Sequence, residues 1–293
     1  MSSRIIANID FKDFDFTSAI QCLGDIPFQL EEYDEFGQGQ WSNISLYNES
    51  GLASDTQYRN AKSCRSTPHC LKVPEIISFI EENFDTPALR MVRARNLVDG
   101  MVIPHRDFVE LDEGQRYLRV FVPLEDNLES FHSDDSGVFR MRRGEVWMLD
   151  ASQVHAAINF GRHSRMFLCL DFAFDRPFHA SDIFSPGAGV FSPGDPLYIQ
   201  RSAITQQEID QLISSVAGII NPDTFRDVLF ALSKVHFRHD VEAGACYDWI
   251  EKAARRSLQL DIVEKTNALR RYLVDSRDKG QRFSINDWAR AAA

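Results

Sequence analysis

Arg116-Tyr117-Leu118-Arg119-Val120-Phe121-Val122-Pro123-Leu124 is the stretch on which the fold turns. Aromatic and β-branched residues dominate it, and such residues fit a pleated, half-buried surface. It reads as a strand. Further short runs follow: Val138-Phe139-Arg140-Met141, Val146-Trp147-Met148-Leu149, 152–159 and 164–172. Turn signals separate them at Phe131–Gly137, Arg143-Gly144-Glu145 and Phe160-Gly161-Arg162. Upstream, Trp41–Tyr47 and Leu89–Leu97 alternate apolar and polar, the period of a half-buried strand. Val98-Asp99-Gly100 reads as a turn after the second of these. No crossover helix is legible between 88 and 174, which excludes a parallel α/β sheet. Short strands with a turn signal every 8–12 residues or so predict a β-sandwich or jelly roll.

The flanks are helical. Residues 4–10 suit an edge strand, and 13–23 suit a short helix stopped by Gly24-Asp25-Ile26-Pro27. Residues 31–35 are acidic and expected to be exposed, and 48–69 read as a long loop. Pro74 opens a helix over 74–84, with Ile76, Ile77, Phe79, Ile80 and Phe84 at helical spacing. A Pro/Gly-rich connector at 185–196 precedes a change of character. Thr205-Gln206-Gln207-Glu208 is a capping box that opens a helix with Ile209, Leu212, Ile213 and Val216 on one face; a second bears Phe225, Val228, Leu229 and Leu232, and two more follow near 247–258 and 260–275. The expected organisation is a β domain over 1–182, a linker over 183–203 and an α-helical domain over 204–293.

Composition narrows the function classes. A net charge of −11 opposes general nucleic-acid binding, which needs a basic face. No apolar run approaches the ~18 residues of a membrane span, and the N-terminus is not a signal peptide. The five cysteines have no framework spacing, which suits free thiols. A cytoplasmic protein is expected, with the helical region as a candidate homodimer surface.

The chemistry concentrates in Ile103-Pro104-His105-Arg106-Asp107-Phe108-Val109-Glu110-Leu111. On a strand, His105 and Asp107 at i and i+2 share a face. His155, 48 residues after Asp107, is the best third ligand. Two histidines and one carboxylate form the ligand set of non-haem Fe(II) oxygenases. Arg165, ten residues beyond His155 and across a turn, offers a two-pronged grip on the far carboxylate of 2-oxoglutarate, with Ser164 as a second donor. A cation amid apolar residues needs an anion, so Arg119 is a candidate for the carboxylate of an amino-acid substrate, with Arg95 beside it. The bland alternative for both is pairing with one of the chain's many acids. His132 is a candidate substrate contact or a solvated turn residue. Trp147, Phe108 and Tyr117 are candidate pocket walls or simply core. His163, His179, His236 and His239 read as structural.

Several of these segments carry a likeness to a known family. Glu32-Tyr33-Asp34-Glu35-Phe36, Arg95-Asn96-Leu97, Ile103 through Asp112, Phe131-His132-Ser133-Asp134-Asp135 and Gly144 through Ala151 resemble the bacterial free-proline hydroxylases, most of all the cis-3-hydroxylating ones. The likeness runs on into the helical tail, through Phe225-Arg226-Asp227-Val228-Leu229-Phe230 and Ser233-Lys234-Val235-His236. It departs in a short segment after Asp112 and at Met148, where the family carries a larger aromatic. The resemblance implies a double-stranded β-helix (cupin-like) core, with His105, Asp107 and His155 as Fe(II) ligands. It implies Arg165 as the 2-oxoglutarate anchor and Arg119 as a proline carboxylate contact. The implied reaction uses O2, hydroxylates free L-proline at C3 on the cis face, and decarboxylates 2-oxoglutarate to succinate and CO2. Hydroxylation of pipecolate, hydroxylation of proline at C4, and a non-enzymatic jelly-roll binding module are the alternatives.

Overall fold

The computed structural model describes residues 3–27, 36–59, 61–107, 116–278 and 281–288. The acidic 31–35 stretch and the strand expected at Phe108–Leu111 lie outside them. The chain order is β1 (Arg4–Ile9), α1 (Thr17–Gly24), β2 (Gly37–Asn48), β3 (Arg65–Ser66), α2 (Pro74–Asn83) and β4 (Leu89–His105). Then come β5 (Arg116–Pro123), β6 (Ser130–Asp134), β7 (Gly137–Arg140), β8 (Glu145–Leu149), β9 (His155–Asn159) and β10 (Phe167–Phe174). Two short strands, β11 (Val190–Phe191) and β12 (Leu197–Tyr198), precede α3 (Gln206–Ala217), α4 (Phe225–Ser233), α5 (Ala245–Arg256) and α6 (Leu260–Arg270).

The 17-residue β4 belongs to both halves of the sheet. Its first half pairs with β10, its second half with β9, and β2 runs along the opposite edge of both. One half-sheet therefore reads β4–β10–β5–β8–β1 and the other β4–β9–β6–β7–β12, and every strand pair is antiparallel. From β5 to β10 the chain passes back and forth between the two half-sheets, broken only by the β6–β7 hairpin within the second, which is the winding of a double-stranded β-helix. The chain is thus mainly β with α, with a helical C-terminal region, as the sequence predicts.

Strand alternation sorts side chains into three cores. On the outer face of the first half-sheet, Val92, Ala94, Val120, Val122, Leu168 and Leu170 pack under α1 and α2. Helix α2 buries Ile76, Phe79, Ile80 and Asn83, the i, i+3, i+4, i+7 stripe of an amphipathic helix. Each of its large apolar side chains contributes about 1.5–3 kcal/mol by leaving water. On the outer face of the second half-sheet, Met101, Ile103, Val138, Ala156 and Ile158 share one continuous core with α3 to α6. Between the half-sheets lie Ile5, Phe121, Phe139, Trp147, Leu149, Phe167 and Cys169.

Three sequence expectations need correcting. First, β1 is not an edge strand, because β11 from the Pro/Gly-rich connector pairs with its free side. β12, from the same connector, pairs with β7. Second, Val98-Asp99-Gly100 is no turn. β4 runs straight through it, with Asp99 at φ 42° and Gly100 so close to the Gln38 carbonyl that a Cβ has no room. Third, Phe131–Asp134 is strand, not turn, and the reversal is confined to Asp135–Ser136, between the paired Asp134 and Gly137. The helix expected near 260–275 runs that far, as α6 to Arg270 and then a wider π-turn over Arg271–Asp275. The capping box at Thr205–Glu208 forms as expected.

Candidate active site

His105 is the last residue of β4, and its register partner across the ladder is His155, the first residue of β9. Their rings therefore meet, with centroids 4.3 Å apart. Asp107 lies just past the strand. Its N–H donates to the Ala151 carbonyl at 2.8 Å, and the Arg106 N–H donates to Leu273 in the π-turn at 2.8 Å. The Arg106 side chain also reaches the Ser152 carbonyl at 2.5 Å, so the two ligand-bearing segments are tied together. One ligand atom from each of His105, Asp107 and His155 falls within 4.8 Å of the others.

Hydrogen bonding fixes the tautomers. His105 Nδ1 sits 2.8 Å from the Ile103 carbonyl, and His155 Nδ1 sits 3.0 Å from that of Gln153. A carbonyl only accepts, so each Nδ1 carries the proton and each Nε2 presents a lone pair. Burial, with His105 nearby, pushes His155 down to about 4, so it is neutral near pH 7. Burial works against the charged form of Asp107, but Arg119 and His105 outweigh it and hold the carboxyl well below its ordinary range. Two imidazoles with Nε2 turned inward and one carboxylate therefore converge, a donor set that fits a divalent iron and leaves coordination positions open.

Four arginines surround this centre. Arg119 on β5 donates from Nη1 to Asp107 Oδ2 and from Nε to Asp171 Oδ1, the latter at 2.6 Å. Asp171, fully buried on β10, also accepts from Arg93 at 2.8 Å and from the Tyr117 hydroxyl. Arg165 is 6% exposed and lies over Phe167, its guanidinium carbon 4.2 Å from the ring centre. Its Nη2 donates to a ring nitrogen of His132 at 2.6 Å, and its buried Nε has no acceptor. Arg95 lies over Phe121, and its Nε is likewise buried without an acceptor. Neither Arg95 nor Arg165 meets a carboxylate among the described residues. Burial, then Arg95, pushes Arg165 down to about 9. Burial, then Arg165, keeps His132 neutral by pushing it well below its ordinary value. Unpaired buried cations at a cavity wall are waiting for anions.

One cavity collects most of the residues singled out from sequence: His105, Asp107, His155, Arg165, Arg119, Arg95 and His132. His132 is buried on β6 and is not the solvated turn residue its polar neighbours suggest. Two others lie elsewhere. The Ser164 hydroxyl donates to Glu125 at 2.5 Å, outside the cavity wall. Trp147 is fully buried, stacks on Phe139 at 4.6 Å and donates to Glu145, also outside that wall. Sequence reading missed Asp171 and Asn96, whose side chain accepts from the Arg165 N–H at 2.9 Å. Asp171 carried a usable signal, since it is the lone acid in the apolar run Phe167–Phe174.

Residues 15–174 match the family described as aspartyl/asparaginyl beta-hydroxylase, and residues 180–281 match the C-terminal region of L-proline 3-hydroxylase. L-proline cis-3-hydroxylase 2 from Streptomyces sp is 39% identical over 292 residues, covering 98% of this chain and 100% of the relative. L-proline cis-3-hydroxylase 1 from Streptomyces sp gives the same figures. L-proline cis-4-hydroxylase from Rhizobium meliloti (strain 1021) is 26% identical over 287 residues, covering 96% and 99%.

Proposed function

Because this chain belongs to the L-proline 3-hydroxylase family along its whole length, we propose that it hydroxylates free L-proline at C3 on the cis face, using Fe(II), 2-oxoglutarate and O2. The observation that carries the reading is the His105–Asp107–His155 cluster sharing a cavity with the buried, acid-free guanidinium of Arg165.

In this reading the Nε2 atoms of His105 and His155 and an oxygen of Asp107 hold the metal. Bound iron supplies O2 activation coupled to decarboxylation of 2-oxoglutarate to succinate and CO2. Arg165 takes the distal carboxylate of 2-oxoglutarate two-pronged, with His132 steadying the guanidinium from the other side. The substrate carboxylate goes to Arg95, the second cation without an acid partner, with Arg119 next to it. That grip decides which ring carbon faces the metal, because positioning alone selects among similar C–H bonds. Leu97, Val102, Phe121, Leu149 and Phe167 line the remainder and keep water from the reacting atoms.

No helix among the described residues is long and apolar enough to cross a membrane, and the five cysteines are unpaired. Both facts support a cytoplasmic setting, and the acidic charge supports the absence of a nucleic-acid partner. Exposed Ile219, Leu258 and Leu260 support a homodimer through the helical region.

The test is turnover with Fe(II), 2-oxoglutarate and O2 against proline, pipecolate and azetidine-2-carboxylate, with products read by mass and NMR. The expected result is cis-3-hydroxyproline and succinate in equal amounts. Protein that binds iron and 2-oxoglutarate yet releases no extra succinate with any of the three refutes the substrate class. Hydroxylation at C4 refutes the regiochemistry.

A further inference from the structure

We propose that Asp171 is a positioning residue which, acting through Arg119, holds Asp107 to one-pronged metal coordination. The inference rests on the metal-site reading above and extends it to a residue that touches neither metal nor substrate.

The argument starts from the fold. Arg119 and Asp171 are register partners on β5 and β10, so their side chains emerge side by side into the interior. Arg119 Nε is committed to Asp171 Oδ1 at 2.6 Å, and its Nη1 to Asp107 Oδ2. One planar guanidinium thus bridges two carboxylates, only one of which faces the metal centre. The remaining contacts of Asp171 leave it nowhere to swing. Oδ1 also accepts from Tyr117, Oδ2 accepts from Arg93 at 2.8 Å, and the side chain is 0% exposed. Arg93 is itself buried and anchored, with Nη1 3.4 Å from the Thr56 carbonyl.

The consequence falls on Asp107. Its Oδ1 lies 3.5 Å from His105 Nε2, on the side where the ligand atoms converge. Its Oδ2 is held away by Arg119. A carboxylate that turns and chelates with both oxygens takes two coordination positions. The proposed reaction needs three positions free of protein, two for the keto acid and one for O2. By engaging Oδ2, Arg119 keeps that third position open, and Asp171 fixes the orientation of Arg119. Partners one step removed from a metal commonly set ligand orientation in this way. A simpler role, in which Asp171 only neutralises Arg93, leaves the Arg119 bridge without a purpose and predicts no effect on the metal.

The test uses full-length protein titrated with Co(II) as the probe, followed by visible absorption, with activity as a second reading. The Asp171→Asn change keeps the shape and removes the charge that anchors Arg119. Co(II) affinity should change by about 10–100-fold, the size of effect seen for other groups that orient a metal ligand. The cobalt band should also change intensity as Asp107 alters its coordination. Arg119→Lys keeps the positive charge but loses the separate Nε and Nη1 donors that meet the two carboxylates, and should move both readouts the same way. It decides the matter if Asp171→Asn does not fold. Wild-type protein that binds no Co(II) refutes the metal-site reading itself. Wild-type protein that binds, alongside a folded variant with unchanged affinity and spectrum, overturns this inference alone.

Discussion

Replacing Arg165 with methionine should move two quantities in opposite directions. Burial and Arg95 bring the Arg165 guanidinium down to about 9. At about 1.4 kcal/mol per tenfold change in proton affinity, its charge costs the ligand-free fold on the order of 5 kcal/mol at most. Methionine removes that penalty and keeps much of the contact with Phe167. Against this stand the lost bond to His132, about 1.5–3 kcal/mol, and the lost cation–π contact, about 1 kcal/mol. The balance favours the variant by roughly 1–2 kcal/mol, so the metal-free, ligand-free protein should melt about 2–6 °C higher. Binding of 2-oxoglutarate should suffer. Truncating one partner of a buried, hydrogen-bonded charge pair costs about 2–5 kcal/mol, which is roughly 30- to 4000-fold in Kd. Thermal unfolding with and without 2-oxoglutarate, together with calorimetric titration of the metal-loaded protein, measures both. A variant that melts well below wild type and binds 2-oxoglutarate as tightly as before would show that Arg165 is a structural residue, and the anchor assignment would fall.

Two further outcomes are expected. Arg95→Leu should raise the KM for proline by at least about 30-fold while leaving that for 2-oxoglutarate within a few-fold, since it removes one buried carboxylate contact worth about 2 kcal/mol or more. Steady-state kinetics with each substrate varied in turn check this, and equal rises in both constants contradict it. His236 is pushed down to about 3 by burial and accepts or donates one bond, to Ser133 at 2.8 Å. The unfolded imidazole titrates near 6.5, so between about pH 6.5 and 3 the unfolded state binds the extra proton and stability falls as pH falls. From pH 7 to 5 the His236 share is about 2 kcal/mol, and His236→Gln should remove it from the difference in unfolding free energy. Denaturant titrations at the two pH values test this, and an identical pH response in the variant rejects it.

What the sequence disclosed, and what it hid, follows from where each residue faces. Outward strand positions are apolar under helices, so Leu118, Val120, Val122, Leu168 and Leu170 make the strands legible. The inward positions around the cavity carry charge, and there the usual alternation inverts. β6 reads as a turn for that reason, since His132 and Asp134 are polar yet buried. The metal ligands were legible because i, i+2 spacing survives even where the strand stops at His105. Asp171 was not, although the reasoning that singled out Arg119 applies equally to it. Each is a charge set inside an apolar run, and they are each other's partner. The candidate roles of Ser164 and Trp147 rested on proximity along the chain, which does not say where a side chain points. Ser164 turns to Glu125, and Trp147 turns into the aromatic stack with Phe139.

The continuity of β4 constrains how such a protein can change over evolutionary time. Arg95 and His105 stand on one unbroken strand whose register is locked by β2 on one edge and by β10 and β9 on the other. A residue gained or lost between them would flip every later side chain to the opposite face and carry His105 out of reach of His155. The two register irregularities on the way, at Asp99–Gly100 against β2 and between Val102 and His105 against β9, are where such an event could be absorbed. New substrates are therefore expected to arise by altering the walls and loops around the cavity, while the spacing along this strand stays the same from one descendant to the next.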